Sequence, residues 1–146
     1  MSDFVDQNPT KHSFARLCWD LLSVRCGVVD SADQIGAGST SGSLGSGAVT
    51  NNATLRFNRS DDVTVANAIS GTGELVKEAS NALTLTSNNT YSGTTTITAG
   101  TLALTTGTLG TGEMINNSRL NFQHSDDITV GNVISGTGML IQAGSG

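Results

Sequence analysis

Little in this chain of 146 residues is suited to covalent chemistry. It holds one proline, two cysteines, two histidines and one tryptophan; aromatic residues make up 4% of it and charged residues 13%. Each shortage excludes something. Cys18 and Cys26 make neither a disulfide framework nor a zinc-ligand pattern, and on a helix they would lie roughly 12 Å apart, too far to bond. Seven basic residues stand against twelve acidic ones, a net charge of −5, which disfavours nucleic acid and anionic membrane surfaces as partners. No apolar run is long enough to insert in a membrane. The opening stretch carries Asp3 and Asp6 where a signal peptide would be basic, so no export signal is expected. Pro9 lies far from the segments described next, so no proline interrupts strand pairing in them.

What the chain has in quantity is Gly, Thr, Ser and Asn, and it has them twice. Residues 42–80 match residues 107–145 at a constant offset of 65, without a gap. Gly42, Leu44, Gly45 and Gly47 recur as Gly107, Leu109, Gly110 and Gly112. Asn51-Asn52 recurs as Asn116-Asn117, and Leu55 and Phe57 as Leu120 and Phe122. Ser60-Asp61-Asp62 recurs as Ser125-Asp126-Asp127, and Ile69-Ser70-Gly71-Thr72-Gly73 as Ile134-Ser135-Gly136-Thr137-Gly138. A self-match of this length signals a repeat architecture. Two regions follow: residues 1–35, outside the repeat, and residues 36–146, an array with one unit at 42–106 and a partial second at 107–146.

In the first region Phe14, Leu17, Cys18, Leu21 and Leu22 form one apolar helical stripe. With Ser13 as N-cap and Gly27 as stop, a short amphipathic helix is expected over 13–25, placed to cap a solenoid end; an unstructured segment is the alternative. In the array, short apolar–polar alternations recur, from Thr54–Phe57 to Met139–Gln142, with Gly, Asn, Asp and Ser between them. Regular short strands admit a β-sandwich or a β-solenoid, and the constant offset favours the solenoid. Three coils of about 22 residues would fill one unit, giving roughly five coils in all. The period of two points Leu55, Phe57, Val63, Val65, Leu75, Leu83, Leu85, Ile97, Leu102 and Leu104 inward, with Leu120, Phe122, Ile128, Val130 and Leu140 stacked over the same lines. Arg56, Thr64, Thr84, Thr86, Thr96 and Thr98 should point out. Asn-Asn and Gly-Thr-Gly suit corners that need positive φ and side-chain capping.

Gly71-Thr72-Gly73-Glu74-Leu75-Val76-Lys77, Leu83-Thr84-Leu85, Asn88-Asn89-Thr90-Tyr91-Ser92-Gly93-Thr94-Thr95-Thr96-Ile97 and Gly100-Thr101-Leu102 together resemble the autotransporter-associated β-strand repeat of bacterial passenger regions. The resemblance covers residues 42–146. It implies a right-handed parallel β-helix at a Gram-negative cell surface or released from it, exported by the Sec route and through a C-terminal β-barrel. With neither signal peptide nor barrel in sight, the chain reads as a fragment whose last strand edge is an end-to-end self-association site.

Candidate sites are few. Asp61-Asp62 and Asp126-Asp127, taken to occupy equivalent coils, could ligate calcium, but acidic residues also belong in exposed turns. His12 and His124 have no companion ligand, and His124, Ser125 and Asp126 are too close in sequence to make a triad. Arg59 stands where the second unit has His124, which suggests a tolerant, exposed position. The outward Thr and Asn face could meet host-cell or matrix glycans; with Arg56, Arg59, Lys77 and Arg119 as the array's basic residues, a polysaccharide-lyase surface is thin. The expectation is a structural or adhesive display segment, not an enzyme, with no catalytic, cofactor or metal site.

Overall fold

The computed structural model describes residues 28–29, 32–40 and 42–146. The expected helix over 13–25, both cysteines and His12 lie outside these residues. Within them there is no helix, and fourteen short strands wind into a parallel β-solenoid of about six turns. The strands are β1 (Val28–Val29), β2 (Asp33–Ser39), β3 (Val49–Asn51), β4 (Thr54–Arg59), β5 (Val63–Val65), β6 (Ile69–Ser70), β7 (Glu74–Lys77), β8 (Ala82–Leu85), β9 (Thr95–Ile97), β10 (Thr101–Leu104), β11 (Met114–Asn116), β12 (Arg119–Phe122), β13 (Ile134–Ser135) and β14 (Met139–Gln142). They stack on three faces. Face one is β1-β3-β6, face two β2-β4-β7-β9-β11-β13, and face three β5-β8-β10-β12-β14.

Alternation decides what goes inside. Strands rich in Thr, Val, Ile and Leu suit a pleated ladder, and every second side chain enters the core. On face two, one inward column runs Asp33, Leu55, Leu75, Thr95, Met114, Ile134. On face three the columns are Val63, Leu83, Leu102, Leu120, Leu140 and Val65, Leu85, Leu104, Phe122, Gln142. Nine of the ten residues expected inward in the first unit are buried, and Val63 packs half-buried against them. Each fully buried Leu or Ile contributes about 1.5–3 kcal/mol.

Two expectations about the repeat are corrected. A turn takes between 18 residues (Leu102 to Leu120) and 22 (Asp33 to Leu55), so 65 residues are about three and a third turns, not three. The second unit is therefore rotated by one face. Leu55 and Phe57 lie on face two, whereas their counterparts Leu120 and Phe122 lie on face three, over Leu102 and Leu104. Likewise β3 belongs to face one and its counterpart β11 to face two. The counterparts do not stack over the same lines. Nor are all of them buried: Ile128, Val130 and Leu140 are 38%, 37% and 58% exposed, because the sixth turn packs against a neighbouring turn on one side alone.

The corners are built alike in both units. Gly71 and Gly136 take φ of +103° and +106°, and a Cβ on either would sit 2.2 Å from the carbonyl oxygen of Asn51 or Asn116. Only glycine meets both demands.

Candidate functional site

The polar side chains that could carry function are mostly tied to the backbone of neighbouring turns. Asn51 is fully buried. Its Oδ1 accepts from the amide of Ala53 at 3.2 Å, and its Nδ2 donates to the carbonyl of Glu74, one turn on, at 2.8 Å. Asn116 repeats this with Ser118 at 3.2 Å and Met139 at 2.9 Å. Asn89, also buried, accepts from Ile69 and donates to Ser87 and Thr108. Asn67 donates to the carbonyls of Gly45 and Gly47, and Asn132 to those of Gly110 and Gly112. A buried amide that satisfies both ends in this way replaces main-chain bonds that a sharp corner cannot make. The corner hydroxyls do similar work. Ser87, Thr106, Ser118 and Ser135 donate to the carbonyls of Ala66, Thr86, Gly100 and Met114 in the preceding turn.

Arg59 and His124 are a second matched pair, and neither is the tolerant, exposed site expected. Arg59 donates to the carbonyls of Thr40 and Gly42 and holds both carboxylate oxygens of Asp61, at 2.8 and 2.7 Å. That ion pair holds the Asp61 carboxyl below its ordinary 3.8. His124 is 6% exposed, and its Nε2 lies 2.8 Å from the carbonyl of Gly107, the counterpart of Gly42. Because a carbonyl only accepts, Nε2 carries the proton. Nδ1 is buried without a hydrogen-bond partner among the described residues.

The acidic pairs are not brought together. Asp61 and Asp62 sit between β4 and β5, where faces two and three meet; Asp126 and Asp127 follow β12, at the far edge of face three. The rotation of the second unit separates them. Asp61 is engaged by Arg59, and Asp62 Oδ1 accepts from the amide of Ala82 at 2.7 Å. Among the described residues no three His, Cys, Asp or Glu side chains are placed to hold a metal ion. His124, Ser125 and Asp126 run consecutively, and the latter two are exposed.

Lys77 is a residue whose place was missed. It is 1% exposed, in the inward column of face two between Phe57 and Ile97. Its Nζ donates to the carbonyl of Ala79 and to Asn81 Oδ1. Burial pushes its pKa below the ordinary 10.5, against the opposing pull of Asp62. The signal was available: Lys77 follows Leu75 by two, so it shares that residue's side of the strand. Tyr91 is fully buried too, its hydroxyl 2.6 Å from Thr95 Oγ1, and burial raises its pKa.

Two depressions could take a ligand. One, of about 470 Å³, is mainly apolar and is lined by Leu104, Leu109, Phe122, His124, Ile128 and Val130. The other, of about 530 Å³, is polar and is lined by Ser80, Thr101, Asn117, Ser118, Arg119 and Thr137.

Residues 75–104 match the family model of the passenger-associated-transport-repeat. Neither the curated proteins nor the solved structures offer a significant match to the chain. The matched stretch runs from β7 through β10 and includes Lys77, Asn89, Tyr91 and Thr95, the side chains that fill and bracket the third and fourth turns. Residues 75–104 are thus an autotransporter passenger repeat, wound as part of a parallel β-solenoid.

Proposed function

We propose that this chain is a structural segment of a surface-displayed or released passenger, a stiff spacer that carries an adhesive or effector surface away from the cell. The passenger repeat at 75–104 carries this reading. The solenoid supports it: the asparagine amides and corner hydroxyls bond from turn to turn, which resists bending and shear. The mechanism is geometric, with no reaction and no cofactor; stacking at about 4.8 Å per turn sets the reach. A spacer must be rigid along its length. Amide hydrogen exchange should therefore be slow and of similar protection through the second to fifth turns. Rapid exchange throughout those turns would refute it.

A second reading is a glycan-binding module. One observation favours it: the polar depression where Arg119, Asn117, Ser118 and Thr137 converge offers amides, hydroxyls and a guanidinium. A glycan array probed with the full chain separates the two. Absence of binding sinks the module; binding abolished by Arg119→Ala and Asn117→Ala sinks the pure spacer. Turnover of an acidic polysaccharide by the chain would overturn both readings in favour of an enzyme.

A further inference from the structure

The rotation of the second unit carries its Asn-Asn corner to the seam between faces two and three, and the side chains that follow are not those of the first unit. Ser118 and Arg119 stand where the first unit has Ala53 and Thr54. The exchange brings in a cation. Of the basic residues among those described, Arg56 is paired with Glu78, Arg59 is paired with Asp61, and Lys77 is buried. Arg119 is exposed, and its guanidinium has neither an ion pair nor a hydrogen bond among the described residues. It lines the polar depression of about 530 Å³ on that seam, with Ser80, Thr101, Asn117, Ser118 and Thr137, and no carboxylate shares the lining. Small-molecule sites occupy roughly 300–1,000 Å³.

The hydrogen-bonding capacity left in this depression is of two kinds. Asn117 Oδ1 accepts from the amide of Thr137 at 3.4 Å, which leaves its Nδ2 as a donor to a ligand. Ser118 Oγ gives its proton to the carbonyl of Gly100 at 2.8 Å and can then only accept. The hydroxyls of Ser80, Thr101 and Thr137 can do either. An inorganic anion such as sulfate presents acceptors alone and leaves Ser118 unanswered. A neutral sugar presents hydroxyls and leaves the guanidinium without its charge-assisted partner. A sugar acid presents both a carboxylate that the planar fork of Arg119 matches and ring hydroxyls that donate and accept around it. We propose that this depression binds a carboxylate-bearing saccharide, a uronic or sialic acid residue, with Arg119 holding the carboxylate and Asn117 and Ser118 reading ring hydroxyls. The proposal rests on the glycan-binding reading above and names its ligand class. Because the first unit has Thr54 in place of the cation, the array offers this site once and not twice.

Isothermal titration calorimetry of the full chain at low ionic strength tests it with two matched pairs of probes: trigalacturonate against its methyl ester, and sialyllactose against lactose. At least one acid should bind about 10-fold or more tighter than its neutral mate, with a stoichiometry of one, and more weakly as salt is raised. Whichever acid binds identifies the source of the carboxylate. Arg119→Gln, at an exposed position, should bring that acid down to the affinity of its neutral mate. Arg56→Gln, whose guanidinium is already held by Glu78, should leave binding as it is. Equal binding of acid and neutral mate would overturn the proposal and leave the glycan-binding reading standing. Absence of binding by all four probes would overturn the proposal, and the glycan array then decides the module reading alone. Acid binding that survives Arg119→Gln, or a triglutamate peptide bound as tightly as the sugar acid, would also overturn it.

Discussion

The rotation of the second unit can be tested by asking which leucines feel each other. Leu120 lies directly over Leu102 on face three, while Leu55, its counterpart in the sequence repeat, lies on face two. All three are fully buried. Truncation to alanine costs about 2–5 kcal/mol at such sites, and two at once could exhaust the roughly 5–15 kcal/mol of a domain this size. Truncation to valine keeps the chain folded, at about 1 kcal/mol each, and valine suits a strand. Stacked neighbours share a cavity, so Leu102→Val with Leu120→Val should depart from additivity by about 0.5 kcal/mol or more. Leu55→Val with Leu120→Val should add within about 0.3–0.5 kcal/mol. Urea unfolding followed by circular dichroism and by amide exchange supplies the free energies, provided both probes give one transition. Additivity for the pair Leu102 and Leu120 would refute the one-face rotation.

Other outcomes follow from single side chains. Lys77→Met removes a buried ammonium from between Phe57 and Ile97 and should be neutral or stabilising by about 1 kcal/mol at neutral pH. Since the lysine's folded pKa is lowered, the unfolded chain binds more protons below 10.5, so wild-type stability should rise with pH up to that value relative to Lys77→Met; a constant difference in urea midpoints across that range would contradict this. Asn116→Ala strands a corner amide and carbonyl and should cost about 1–3 kcal/mol, against less than about 0.5 kcal/mol for exposed Asn117→Ala, by thermal unfolding. Gly93→Ala would place a Cβ 2.2 Å from the Gly73 carbonyl oxygen and should cost about 1–3 kcal/mol, whereas Gly131→Ala meets open space and should be neutral or slightly stabilising.

Alternation made most of the core legible before any coordinates, because a strand gives each residue only two sides. It failed at Lys77, where residue type argued for solvent and parity argued for the core. Parity prevailed because the amine found Ala79 and Asn81 within reach of its own strand end. The corner role of Asn51 and of the Gly-Thr-Gly segments was legible too, since capping and positive φ are local demands. What identity at an offset of 65 could not reveal was the length of a turn. Self-similarity reports that two segments have the same local environment, and β3 and β11 do, but it is silent on which face each occupies. The same gap hid His124. Its counterpart Arg59 is a different residue type, and the common task of holding a glycine carbonyl in the adjoining loop is visible only in three dimensions.

The one-face rotation has a bearing on misassembly. Cross-β fibrils grow when identical segments lie in register, like side chain over like. A duplicated solenoid whose unit spanned a whole number of turns would bring its two copies onto a common column, where they could exchange places or template each other. Here the copies of Asn51, Leu55 and Ile69 climb the solenoid on different columns, so none of these residues shares a column with its own copy. The fraction of a turn left over in the duplication serves to keep the two halves from being mistaken for one another.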